Sequence, residues 1–180
     1  MRRTVVLVLI ALGVLAVPSS ASAAFTINVA RFNVSSIGDF RPSRDATIPA
    51  AERVFGPASS RREVSDASCR VRWKRLGLEI LFVSFSSPGP SRCRGTVGLA
   101  QSFKVRGKRF RTWHGLRVGQ REAAVQRRHP GAKFRKGAWW LKSAINPIGD
   151  PTEEFAVLDA KIGSNGRVRV MRGWIGAAGD

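Results

Sequence analysis

The sequence predicts an α+β fold, a tandem repeat of a short helix packed on a mostly antiparallel sheet of about four strands. Three observations carry that expectation. Residues 40–58 and 113–132 align on one another, each holds apolar residues at helical spacing, and the segments between alternate apolar and polar residues with Gly, Pro and Asn at the breaks.

Aligning Phe55-Gly56-Pro57-Ala58 with His129-Pro130-Gly131-Ala132 places Thr47 on Arg121, Ala51 on Val125 and Phe40 near Leu116. In the first copy Thr47 is the predicted cap, and Pro49 sits in the first turn, where its missing N–H costs nothing. Ala51, Val54 and Phe55 form an i, i+3, i+4 stripe, and Gly56-Pro57 ends the helix. In the second copy Gly119 makes the turn, Glu122 lies in the first helical turn, and Arg127, Arg128 and His129 lie in the last. Helices this short do not hold alone in water, so both need a surface to pack on.

The strands follow from period-two patterning. Phe25, Ile27 and Val29 give Ala24 to Asp39 some strand character, whereas Ser59 to Ala67 is polar and reads as loop, with a possible strand start at Arg61 to Val64. Cys69, Val71 and Trp73 alternate with Arg70 and Arg72, and Leu78 to Phe85 is apolar almost throughout, as a central strand would be. Thr96 to Val105 is a third strand, Arg106-Gly107-Lys108 a turn, and Arg109 to Trp113 a fourth strand completing a hairpin. Lys133 to Lys142 carries Phe134, Trp139 and Trp140, and Asn146 to Pro151 is a turn-rich loop. Phe155 to Ile162 and Arg167 to Ile175 are joined by Ser164-Asn165-Gly166, whose Asn-Gly pair is a strong hairpin signal. Along the last strand Val168, Val170, Arg172 and Trp174 alternate with Arg167, Arg169 and Met171, so one face is mainly apolar, and Trp174, like Trp73 and Trp113, is expected to face the core.

The motif of apolar residue, turn Gly, Ser/Thr cap, short Val-containing helix and closing Gly/Pro resembles the tandem modules of the β-lactamase inhibitory protein and outer-membrane lipoprotein SmpA/OmlA group. Uncharacterised secreted actinobacterial proteins share the same layout. The resemblance implies two helix-plus-sheet units in tandem, a disulfide, and binding in place of catalysis. Arg121 stands where the second cap belongs, and the second half has no cysteine. The shared motif concerns folding, so no inhibitor contact residue carries over.

Residues 1–23 read as a secretory signal: Arg2-Arg3, a thirteen-residue apolar run from Val5 to Val17, then Ala21-Ser22-Ala23 as a cleavage site. Residues 24–112 then form the first unit and 113–180 the second. An apolar run of thirteen is short for a membrane span, so no transmembrane segment is expected in the mature chain. Cys69 and Cys93 enclose a 25-residue loop in a chain bound for an oxidising compartment and are expected to pair.

The chain carries 31 Lys and Arg against 12 Asp and Glu, a net charge of +19, and losing Arg2 and Arg3 leaves +17. Between Lys104 and Lys136 stand twelve basic residues and one acid, Glu122, giving that stretch +11. Such a protein meets anionic partners, either an anionic cell-envelope polymer or an acidic protein. Export makes nucleic acid an improbable physiological ligand. Arg106, Lys108, Arg109 and Arg111 cluster at the predicted hairpin, and Trp139 or Trp140 beside them would add flat apolar area to the cations.

No GxSxG elbow, P-loop, dinucleotide fingerprint, HExxH or zinc-ligand spacing occurs. His114 and His129, fifteen residues apart, have no acidic or Cys neighbour at ligand spacing, and the acidic cluster Asp150, Glu153 and Glu154 reads as solvated loop. These absences point away from an enzyme and from any cofactor or metal. The expected function is that of a secreted, non-enzymatic binding protein using open sheet faces and the basic hairpin. The alternative is an inhibitor of a secreted hydrolase such as a β-lactamase.

Overall fold

The computed structural model describes residues 24–84, 93, 98–145 and 152–176. The expected leader at 1–23, the expected loop at 146–151, residues 177–180 and all of Ser86 to Arg94 except Cys93 lie outside the described residues.

Two sheets organise the chain. The smaller has the order β2 (Val34–Ile37), β1 (Phe25–Val29), β7 (Phe110–Thr112). The larger runs β3 (Ser60–Ser65), β4 (Ser68–Trp73), β5 (Leu78–Val83), β6 (Leu99–Val105), then β11 (Val168–Trp174), β10 (Glu154–Ile162), β9 (Ala138–Ile145), β8 (Lys133–Arg135). All seven pairings in it are antiparallel. The helices are α1 (Ile48–Phe55) and α2 (Ala123–Arg128).

This architecture corrects the α+β expectation. The fold is mostly β, with 50% of the described residues in strand and 10% in helix. The strands expected to form two separate helix-covered sheets instead join into one at β6–β11, where Val105 pairs with Met171, Lys104 with Arg172 and Phe103 with Gly173. Backbone hydrogen bonding drives this result. Two separate four-stranded sheets would leave β6 and β11 as edges with unpaired N–H and C=O groups, and joining them removes both edges.

Three local expectations also change. Ser60–Ser65, read as loop, is a strand whose residues are mostly exposed; at the sheet's edge it needs no apolar alternation. β7 does not return along β6 as a hairpin but pairs in parallel with β1, Phe25 against Phe110 and Ile27 against Thr112. A register shift between Lys161 and Ile162 divides β11, so Val168 and Met171 lie in the core while Trp174 is 39% exposed, against its predicted core parity.

α1 forms where its sequence signals place it. Thr47 Oγ1 accepts the Ala50 N–H at 3.3 Å, and Asp45 Oδ1 accepts from the Thr47 hydroxyl at 2.6 Å and from its N–H at 3.1 Å. Those bonds from Thr47 hold the Asp45 carboxyl below its ordinary pKa, with Arg53 adding to the effect. Thr47→Ala removes both the cap and a partner of Asp45, so an unfolding midpoint measured in urea is expected to report a loss of about 1 kcal/mol. α2 spans under two turns, and the Glu122 carboxylate before it accepts from Trp139 Nε1 at 2.6 Å instead of capping.

The core lies between the two sheets and the helices. Phe55 of α1 meets Phe25, Phe40 and Trp73 edge-on, with centroids 5.4, 5.8 and 5.5 Å away, and Trp73 Nε1 donates to the Gly56 carbonyl. Gly173 admits β2 to this face: a Cβ there would lie 2.3 Å from the Phe103 ring and 2.9 Å from Val34 Cγ2. Helix α1, the small sheet and the Glu122 contact with Trp139 therefore all lie on the face that carries Trp73, Phe103 and Trp139. The disulfide Cys69–Cys93 closes beside it. No helix of the described residues is long and apolar enough to cross a membrane.

Candidate functional site

The opposite face of the large sheet is lined by the residues that alternate with the core. β4 illustrates the cause, since its buried Cys69, Val71 and Trp73 put Arg70 and Arg72 on the other side. Cross-strand register then builds a charged row: Arg72 lies opposite Glu79, Glu79 opposite Lys104, Lys104 opposite Arg172, and Arg172 opposite Asp159. The row ends at Trp140 and Lys133. A neighbouring row runs Arg62, Arg70, Leu81, Ser102, Trp174.

The acids on this face are shared out. Glu79 meets Arg72 at 2.7 Å, Arg70 at 3.3 Å and Lys104 at 3.8 Å. Asp159, 8% exposed, takes the guanidinium of Arg172 through two bonds of 2.8 and 2.6 Å. At the far edge Glu154 pairs with Lys133 and Arg135 and accepts from Ser143, and the Ser143 bond above all holds its carboxyl below the ordinary range. Each acid is thus neutralised by one to three cations, and the face keeps a positive surplus.

The six residues singled out in the sequence are not one cluster. Arg106 borders a depression of about 250 Å³ at the end of the sheet, beside Lys104, Lys161 and Arg169. Lys108 borders the next, with Arg167 and Arg169. Arg111 belongs to the small sheet and Arg109 immediately precedes it, Arg109 lying 5.7 Å from the Phe25 ring and Arg111 donating to Thr26 Oγ1 at 3.1 Å. Trp139 and Trp140, adjacent on one strand, point to opposite faces. Trp139 bonds Glu122 on the core side, and Trp140, 7% exposed, lies beneath Arg135 and Lys136, with ring centroid distances of 5.8 and 5.9 Å. No described contact joins either indole to the Arg106–Arg111 segment. The cations that flank Arg106 and Lys108, namely Lys161, Arg167 and Arg169, lie some fifty residues later in the chain; the basic ends of the last hairpin were their only signal.

The histidines sit elsewhere. His129, 3% exposed, holds Thr112 Oγ1 at 2.8 Å through Nε2, and that hydroxyl also accepts the Leu116 N–H. Burial first, then the nearby His114 and Arg128, lowers its pKa to about 4. Held neutral and bonded to Thr112, the imidazole helps fix the turn from Thr112 to Leu116. Among the described residues no three His, Cys, Asp or Glu side chains gather to hold a metal ion.

No family model, curated protein or solved structure matches this chain. Its functional reading therefore rests on the face and depressions just described.

Proposed function

We propose that the chain is a secreted, non-enzymatic binding protein that holds an anionic polymer of the cell envelope against the basic face and end of its large sheet. The observation that carries this reading is the row from Arg72 to Lys133, in which four cations stand against the two acids Glu79 and Asp159, on a face over which no described helix or sheet is packed. The leader pattern in residues 1–23 supports export, and the disulfide is compatible with an extracellular location.

Isolated envelope incubated with the purified protein tests it. Retention is expected at low ionic strength, weakening by about tenfold or more as salt rises from about 50 to 200 mM, because counterion release sets the affinity of multivalent cationic contacts. Failure to bind at low salt overturns the reading. A protein partner is the second reading, favoured by Trp174, whose 39% exposed indole on the strand position opposite Ser102 is the kind of aromatic anchor protein interfaces use. Stoichiometric loss of turnover by a secreted hydrolase, with β-lactamases in the panel, is the result that would favour it over the polymer.

A further inference from the structure

Three depressions follow one another around the end of the large sheet, and every charged residue that lines them is a cation. The first, between the ends of β6, β10 and β11, is bordered by Lys104, Arg106, Lys161, Arg169 and Arg172 over a floor of Ile162 and Val170. The second, about 480 Å³, shares Arg169 with the first and adds Lys108 and Arg167. The third, about 440 Å³, carries Arg121, Arg127 and Arg128 on and before α2. Second and third abut, since Gly119 lines one and Gln120 the other, and a bridge between Arg121 and Arg167 ties their walls. Arg167 Nη1 fixes that corner by donating to the Gly119 carbonyl at 2.9 Å.

The linings also say what the ligand is not. None contains an aromatic residue, so the track offers no stacking platform for nucleobases and no aromatic anchor for a protein. Neutral polar groups stand among the cations instead: Ser164, Asn165 and the glycine backbones at 119 and 163 in the second depression, Gln120 in the third. Anionic groups separated by hydroxylated spacers match that alternation, with guanidinium forks taking phosphate oxygens two at a time and the amides and hydroxyl taking the spacer.

We infer that these three depressions form one continuous track for a phosphodiester polymer with polyol spacers, of the poly(glycerol phosphate) kind. The inference rests on the anionic-polymer reading above and narrows it to a ligand class and a path. Arg106, Arg169 and Arg127, one or two per depression, take part in no ion pair among the described residues, which leaves them available to phosphate.

Calorimetric titration of the full chain with poly(glycerol phosphate) at about 50 mM salt tests it. The triple variant R106A/R127A/R169A is expected to lose about tenfold or more in affinity and to show a shallower salt dependence, by about one contact per cation removed. The charge-matched variant R31A/R41A/R44A, on the β1–β2 turn and before α1, should stay near the parent. Polyglutamate of equal charge should bind at least about tenfold more weakly, because its carboxylates are spaced by apolar methylenes and amides. Equal losses in the two triple variants, or equal binding of polyglutamate, overturn the track. A loss in R62A/R72A with none in R106A/R127A/R169A moves the polymer to the sheet face, sinking the track while leaving the proposed function intact. Absence of binding to both envelope and polymer sinks both. Circular dichroism and the unfolding midpoint of each variant separate lost affinity from lost fold.

Discussion

Replacing Cys69 and Cys93 together by alanine is expected to lower the unfolding free energy by about 3.5 kcal/mol. The bridge joins residues 24 apart in sequence and closes a loop of 25 residues; without it the unfolded chain regains the entropy of that loop, which the loop-length relation places at about 3.5 kcal/mol. The bond also anchors a tertiary contact. Arg61 Nη1 donates to the Cys93 carbonyl at 3.0 Å while its Nη2 reaches Glu52 of α1 at 2.7 Å, so one guanidinium ties edge strand, helix and disulfide loop together. That pairing, with the Ala58 N–H, outweighs the burial cost at Glu52 and leaves its pKa lowered. Guanidinium unfolding with and without reductant is the measurement. Reductant should shift the parent's midpoint and leave the double variant unmoved; a parent indifferent to reductant would show that the bridge contributes nothing to stability. Reduced parent and double variant should then nearly coincide, any remaining gap reporting the sulfur atoms lost from the core beside Phe82.

Acidification from neutral pH to about pH 4 is expected to weaken the fold by up to about 3 kcal/mol through one histidine. The group responsible is His129. In the unfolded chain it takes a proton near pH 6.5, whereas in the folded protein burial, His114 and Arg128 hold it neutral down to about pH 4. Above pH 6.5 neither state is protonated and the full stability is present. Between about 6.5 and 4 only the unfolded state gains the proton, so stability falls as pH falls, at a slope approaching 1.4 kcal/mol per pH unit. Glu52 from about pH 4.5 downward, and Asp45 from about 3.8, add their own loss, since the unfolded chain takes those protons at the ordinary values while the folded pKa values lie lower. Urea midpoints at pH 7.5, 6 and 4.5 measure the first slope. The variant His129→Gln, less stable throughout, should be nearly flat across this window; an unchanged slope in it would assign the effect to another group.

Both effects join elements far apart in sequence, as do the parts of the fold that sequence patterning misses. Strands β4 and β5 are legible because one face of each is buried, and the β10–β11 turn is legible because Gly166 adopts a positive φ of 67° after Asn165. β3 is not, because an edge strand exposed on both faces leaves no alternation to read. β7 is read as a strand but assigned to the wrong partner: patterning reports a half-buried extended segment and carries no information about which edge it meets. The candidate site divides the same way. Charge density along the chain singles out Arg106 and Lys108, yet their neighbours Lys161 and Arg169 arrive only through the β6–β11 and β10–β11 pairings. Strand parity alone already separates Trp139 from Trp140, since adjacent residues on an extended chain face opposite ways.

By itself the sequence determined what is local: the Thr47 cap, the alternation that splits Val71 from Arg72, the Asn-Gly turn, and an excess of cations that any fold must leave in water. Only the tertiary structure decided that eight strands close into one sheet, that β7 leaves it to join β1, and that cations fifty residues apart line one path. Hydrogen-bonding edges and core contacts choose their partners across the whole chain, and no window of neighbouring residues contains that choice.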